Sequence, residues 1–235
     1  MSRRFSVVEC DQRTPEWFAA RLGRLTGSVA GDMLAKGKGN AEAVSRRNLR
    51  VQLALERVTG RPVGGPVFVT QAMQDGIDRE AEARAEFEAA TGELVYQTGF
   101  LQHVDRLAGA SLDGHMGDFD TLVSIKCRQP AAHLEFLKSK AIPADALAQI
   151  QHELWLTGAR RHFYVNFNPD FPPALRLSWV ELDAAKLDIE AYEASALAFL
   201  SEVAKEAEAI ARRCRTGSTV RPRPVRSSKR RRGNY

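Results

Sequence analysis

The sequence predicts an α/β domain with a central mixed β-sheet flanked by helices, a helical N-terminal segment and a long C-terminal helix. Three observations lead there: helical periodicity through the first 91 residues, a middle block of short apolar runs broken by Gly and Asp, and an Ala-rich amphipathic stretch near the end. With 235 residues, 44% of them hydrophobic, the chain can bury the core of one large domain.

The elements follow in order. Thr14-Pro15-Glu16 opens a helix, with a capping side chain followed by Pro at the first helical position, and it leads through Trp17, Phe18 and Leu22 to a turn at Gly23. A short helix begins near Ser28 and ends at the KGKGN loop, 36–40, which lacks the GxxxxGK[ST] pattern of a phosphate-binding loop and reads as a surface loop. Periodicity resumes over 41–59, with Val44, Leu49, Leu53 and Val58 as the buried stripe, and again over 70–91 up to Gly92. Short strands are expected at 94–96, 100–101, 108–111 and 122–126, then helices at 131–139 and 145–157, then strands at 163–167 and 175–182. The last helix is expected from Asp183, as its cap, to about Arg213.

Charge is unevenly spread. Of 34 basic residues, ten fall from Arg212 onward with no acid among them, which leaves 24 against 29 acids in 1–211. The segment TGSTVRPRPVRSSKRRRGNY has too little apolar material to offset its ordering entropy, so 214–235 is expected to be a disordered basic tail, either attracted to phosphates or merely solubilising. No run of about 18 apolar residues is present and the N-terminus lacks a signal-peptide core, so a cytoplasmic protein without membrane association is expected. Cys10, Cys127 and Cys214 are odd in number and far apart, and are read as thiols; an iron–sulfur role for Cys127 would need four such residues. His103, His115, His133, His152 and His162 show no zinc spacing, His115 and His133 reading as a turn residue and a helix-surface residue, and His152-Glu153 lacks the second histidine of HExxH.

The chemically informative stretch runs from Gly109 to Cys127. It places Asp113 at the end of one strand and Lys126 on the next, with Ser124 and Lys126 on one face and Ile125 turned into the core. A hairpin brings Asp113 beside them. An acid and a lysine on adjacent strands suit phosphodiester hydrolysis, where carboxylates hold a divalent cation and the ammonium orients water and offsets developing charge. Taken alone, an exposed Asp and Lys on a hairpin is also an ordinary surface feature.

Ala110-Ser-Leu-Asp113-Gly, a spacer, then Leu122-Val-Ser124-Ile-Lys126-Cys resembles the PDG…EIKC stretch of the lambda-exonuclease and YqaJ-type recombinases, a branch of the PD-(D/E)xK, restriction-endonuclease-like nucleases. Three further segments match the same family in order: Thr14 to Ser28 (W…RLG.ITAS), Gly76 to Glu88 (G…E..AR..(F/Y)E), and Ala148 to Gly158 (AQ.Q..LWVTG). The resemblance implies a restriction-endonuclease-like nuclease domain over 1–213, with Asp113 as central metal ligand and Lys126 as catalytic lysine. It implies Glu80 as a further acid of the metal site, Gln149 as an active-site amide, and Arg21, Ser28 and Ser111 as groups gripping a DNA 5′-phosphate. Mg²⁺ or Mn²⁺ is the implied cofactor. The implied activity is digestion of linear double-stranded DNA from its ends, 5′ to 3′, with a phage-type single-strand annealing protein as partner and a ring-like homo-oligomer as assembly.

The bland readings are a solvated helix charge for Glu80, a surface amide for Gln149 and a helix cap for Ser28. One departure stands out: Ser124 occupies the position where the family carries Glu. Three readings compete. The metal is kept by Asp113, Glu80, the Ile125 carbonyl and water; or Asp118 or Asp120 donates the carboxylate; or the site is weakened or inactive, leaving a DNA-end-binding module. Leu112 in place of Pro alters only backbone stiffness.

Overall fold

The computed structural model describes residues 3–39, 41–64 and 71–215, apart from the side chains of 71–78. Its strands form two four-stranded mixed sheets rather than one. In the first, β1 (Phe5–Val8) pairs antiparallel with β3 (Phe100–His103), β3 antiparallel with β4 (Ala108–Ala110), and β4 parallel with β2 (Leu25–Thr26). In the second, β5 (Gly114–Met116) and β6 (Thr121–Cys127) are antiparallel, β6 and β7 (Arg161–Phe167) parallel, and β7 and β8 (Leu177–Asp183) antiparallel. Between β4 and β5 the residues Ser111, Leu112 and Asp113 belong to no ladder. That interruption divides the expected single sheet and frees the Ser111 and Asp113 side chains from strand alternation.

Helix α1 (Pro15–Arg21) starts as its sequence directs: Thr14 Oγ1 accepts from Trp17 N at 3.3 Å, with Pro15 in the first turn. A 3-10 turn, Gly27–Val29, leads into α2 (Ala30–Leu34). Helix α3 (Val44–Thr59) buries Leu49 and Leu53, leaves Val58 half-buried and exposes Val44, which sits at its first position before the packed face begins. Helix α4 (Gln71–Thr91) lays Ala83 and Phe87 on the second sheet, where Phe87 meets Phe163 and Trp179 edge-on.

On the other face of that sheet lie α5 (Pro130–Ser139) and α6 (Ala144–Thr157), which bury Phe136, Ile150 and Leu154 against Leu122 and Tyr164. Helix α7 (Ile189–Arg215) packs on α3, tied by Arg46 to Glu202 at 2.7 Å and by Arg50 to Glu206. Asp183 does not cap it. Asp183 accepts from Ala185 N within a separate 3-10 turn, Ala184–Lys186, and Asp188 Oδ1 accepts from Ala191 N at the true start, 2.9 Å in each case.

The expected strand at 94–96 is reduced to one bridge, Tyr96 to His115. His133 is not on a helix surface: it is fully buried, with Nε2 2.8 Å from the Leu175 carbonyl. His115 lies in β5, stacked on Phe119 at 3.8 Å. The three cysteines are free. Among the described residues no helix is long and apolar enough to cross a membrane. The basic segment from 216 onward lies outside the described residues.

Candidate active site

The β5–β6 hairpin places Asp113 against β6. Its Oδ2 accepts from Ile125 N at 2.8 Å and lies 3.5 Å from Lys126 Nζ. The Ile125 side chain points the other way, into the core with Val123 and Val165. Both charged groups are partly open, with 20% of the Asp113 side chain and 28% of that of Lys126 exposed, so an incoming group can reach them. The charge of Asp113 raises the Lys126 ammonium above its usual range; burial opposes this, and the charges of Glu153 and Tyr164 add to it.

Glu80 reaches the same place from α4. Burial raises its carboxyl above the ordinary range, the negative charge of Asp113 raises it further, and Arg84 and Lys126 pull the other way. Arg84 also donates to it at 3.1 Å. Two carboxylates that repel one another across a half-buried site are what a divalent cation relieves. The donors are hard oxygens, which suit Mg²⁺ or Mn²⁺ holding several waters and lack the nitrogen and sulfur of a zinc site. Among the described residues no three His, Cys, Asp or Glu side chains gather as a closed metal cage.

Ser124 points toward α6 and is 2% exposed. Its Oγ donates to Glu153 Oε2 at 3.5 Å and lies 3.2 Å from His162 Nε2, which is itself 3.1 Å from the same carboxylate oxygen. Gln149, one turn before Glu153 on α6, donates to its Oε1 at 2.8 Å, so Gln149 is held by a buried acid rather than being a free surface amide. Asp118 and Asp120, the other acids weighed as donors, are exposed and pair with Arg3 and Arg160. Sequence reading overlooked Glu153. The available signal was its position four residues after Gln149, on a helix whose flanking Ile150, Leu154 and Trp155 are all core residues.

The remaining expected residues gather around Arg21. Its guanidinium donates to Ser111 Oγ at 3.3 Å, Thr26 Oγ1 at 3.3 Å and Ser28 Oγ at 3.0 Å, and lies 4.2 Å from the Trp17 ring centroid. Trp17 Nε1 donates to Ser111 Oγ at 2.8 Å. Ser28 caps no helix: neither the 3-10 turn nor α2 has a side-chain cap bond, and the Ser28 hydroxyl faces Arg21 instead. Thr26 is a member of the cluster that sequence reading did not find. Burial lowers Arg21 to about 10, so it remains a cation at neutral pH, and among the described residues it forms no ion pair. A half-buried cation ringed by hydroxyls and lacking a carboxylate suits an anion. Ser111 sits two residues before Asp113, which puts this cluster beside the carboxylates.

Two contacts lock the arrangement. A Cβ on Gly27 would lie 3.3 Å from Gln149 Cγ and 3.5 Å from Glu153 Oε1, so the turn carrying Ser28 rests directly on α6. His152 is fully buried, and burial lowers its pKa to about 4. As a neutral ring it donates from Nε2 to the Gly109 carbonyl at 3.0 Å and accepts at Nδ1 from Tyr192 Oη at 2.7 Å, tying α6 to β4 and α7.

A search of curated protein sequences finds no match. Among solved structures, the alkaline exonuclease LHK-Exo of Laribacter hongkongensis is 32% identical, over 87% of this chain and all of its own, with a TM-score of 0.76. Its complex with dAMP gives 0.75 at the same identity and coverage. A phage-related exonuclease from Haemophilus somnus 129PT has a TM-score of 0.64 over 81% of this chain and 96% of its own at 12% identity, a likeness in fold alone. The fold is thus the restriction-endonuclease-like one. Residues 16–160 match the model of the YqaJ-like viral recombinase domain, and with that match and the Laribacter likeness the chain belongs to the YqaJ-like viral recombinase family.

Proposed function

We propose that this protein is a metal-dependent exodeoxyribonuclease that digests linear duplex DNA from its ends, 5′ to 3′, leaving single strands for phage-type recombination. The observation that carries the reading is the juxtaposition of Asp113, Lys126 and Glu80 at the mouth of the β5–β6 hairpin. Asp113 and Glu80, with the Ile125 carbonyl and water as further oxygen donors, would hold Mg²⁺ or Mn²⁺. Such a cation, when bound, would supply Lewis-acid activation of the scissile phosphate and of an attacking water. Lys126 orients that water and offsets charge that develops on phosphorus. Gln149, held by Glu153, lines the floor.

Arg21, Ser28 and Ser111, with Thr26, grip the 5′-phosphate of the strand being shortened. Their position beside Asp113 supports end recognition and 5′-to-3′ travel. The dAMP bound by LHK-Exo supports a nucleoside monophosphate as the released product. A single-strand annealing protein that takes up the exposed strand is the proposed partner, and a ring of like subunits the proposed assembly. A DNA-end-binding module without cleavage is the second reading, favoured by the uncharged Ser124.

The test is digestion of linear duplex labelled at either strand end, beside a closed circle. Shortening of the 5′-ended strands of the linear substrate alone is expected; cutting of the circle would indicate an endonuclease, and end binding without cutting would favour the second reading. Arg21→Ala is expected to lower the rate on 5′-phosphorylated ends by about 10- to 100-fold and to remove any preference over 5′-hydroxyl ends, since a charge-assisted phosphate contact contributes about 1.5–3 kcal/mol. Equal use of both ends by the unsubstituted protein would remove the phosphate-gripping role.

A further inference from the structure

Glu153 is a buried acid to which the reaction scheme above gives no step of its own. It is 1% exposed, yet among the described residues its one basic neighbour within ion-pair distance is His162. Burying a carboxylate is unfavourable unless its oxygens are satisfied, and here Gln149, His162 and Ser124 converge on them. Those donors do not make the acid necessary, because an apolar side chain in the core of α6 would need none of them. Ser124, which donates to this acid, is on β6 two residues before Lys126, so Glu153 stands behind the strand that carries the lysine. Its Oε2 also lies along the direction of the Ser124 hydroxyl. An acid at position 124 would carry its carboxylate two bonds beyond Oγ, toward the space that this oxygen fills.

We infer that Glu153 supplies from α6 the negative charge that position 124 of β6 does not carry, and that it is a positioning residue for the metal site. It acts through two partners: Gln149, whose amide it fixes, and Ser124, whose hydroxyl it anchors on β6. Ser124 is therefore one half of a relocated acid rather than a lost one. This rests on the nuclease reading, in which Asp113 and Glu80 hold the cation.

The experiment measures binding of Mn²⁺ alone, without DNA, by the electron paramagnetic resonance signal of the free ion. The unsubstituted protein is compared with Glu153→Gln, with the double variant Ser124→Glu/Glu153→Gln, and with Asp113→Asn, thermal melting being recorded for each. Glu153→Gln is expected to weaken Mn²⁺ binding by about tenfold or more, the scale on which groups behind the ligands act. The double variant, which moves the charge back to β6, is expected to recover most of that loss. Unchanged affinity in Glu153→Gln, with Asp113→Asn weakened, overturns the role of Glu153 and leaves the nuclease reading standing. A loss in Glu153→Gln that the double variant does not recover, with both still folded, also overturns it, because the acid would then be structural. No Mn²⁺ binding by the unsubstituted protein removes both the inference and the reading beneath it.

Discussion

Asp113→Asn is expected to lower release of nucleotides from linear duplex DNA by on the order of 10³-fold or more, while the melting temperature stays within a few degrees of the parent. The substitution is chosen for its geometry. An asparagine Oδ1 still accepts from Ile125 N, which Asp113 does at 2.8 Å, so the hairpin keeps its local bond and only the charge is removed. That charge has two functions in the account: it binds the cation together with Glu80, and it balances the Lys126 ammonium 3.5 Å away. Lys126→Ala tests the other partner and is expected to cost about 10²–10⁴-fold in rate. Initial rates under saturating Mg²⁺ check both. A rate within a few-fold of the parent for either variant would remove that residue from the chemistry.

Trp155→Ala is the second large effect. The indole is 1% exposed at the centre of the helical cluster, with the rings of His103, His152 and Tyr192 at 5.4, 5.4 and 6.0 Å. Truncating a large aromatic at such a place leaves a cavity and costs about 3–5 kcal/mol. For a domain of this size that is a fall in melting temperature of roughly 10 °C. Because Gln149 and Glu153 stand on the same helix, the loosened α6 should also lower the rate of digestion at temperatures where the protein is still folded. Thermal unfolding followed by circular dichroism reads the first effect, and a change under about 2 °C would show that α6 is held mainly by its other contacts.

Much of this arrangement was legible in the residues, and the reasons differ by element. Strand β6 and helices α4, α5 and α6 are long enough for their periods to register, and Thr14-Pro15-Glu16 named its helix start through cap chemistry alone. Strands β1, β2 and β5 are two to four residues long and span too few alternations to display a period of two. The division into two sheets hangs on the three unpaired residues 111–113, whose pattern does not differ from that of a strand. Asp183 and Asp188 are both capping residues ahead of a helical pattern, and only the 3-10 turn between them decides which one starts α7. His133 looked like a surface residue because its partner, the Leu175 carbonyl, is a main-chain group 42 residues away.

The candidate site divides in the same way. Asp113 and Lys126 meet because strand alternation and a short hairpin require it, which sequence reading can anticipate. Thr26 and Glu153 join through contacts between segments distant in the chain. Thr26 reaches Arg21 only once β2 is laid beside β4, and Glu153 reaches Ser124 only once α6 is laid across β6. Ser124, which looked like a deficit in one dimension, has an acid beside it in three.

The central claim is that the carboxylates of this site work through a divalent cation, and nucleotide release from linear duplex DNA tests it most directly. The account predicts steady release with Mg²⁺, none after EDTA, and full recovery when Mg²⁺ is added back in excess. Release that continues undiminished in EDTA, or a folded protein that binds ends and releases nothing with Mg²⁺ or Mn²⁺, would contradict it.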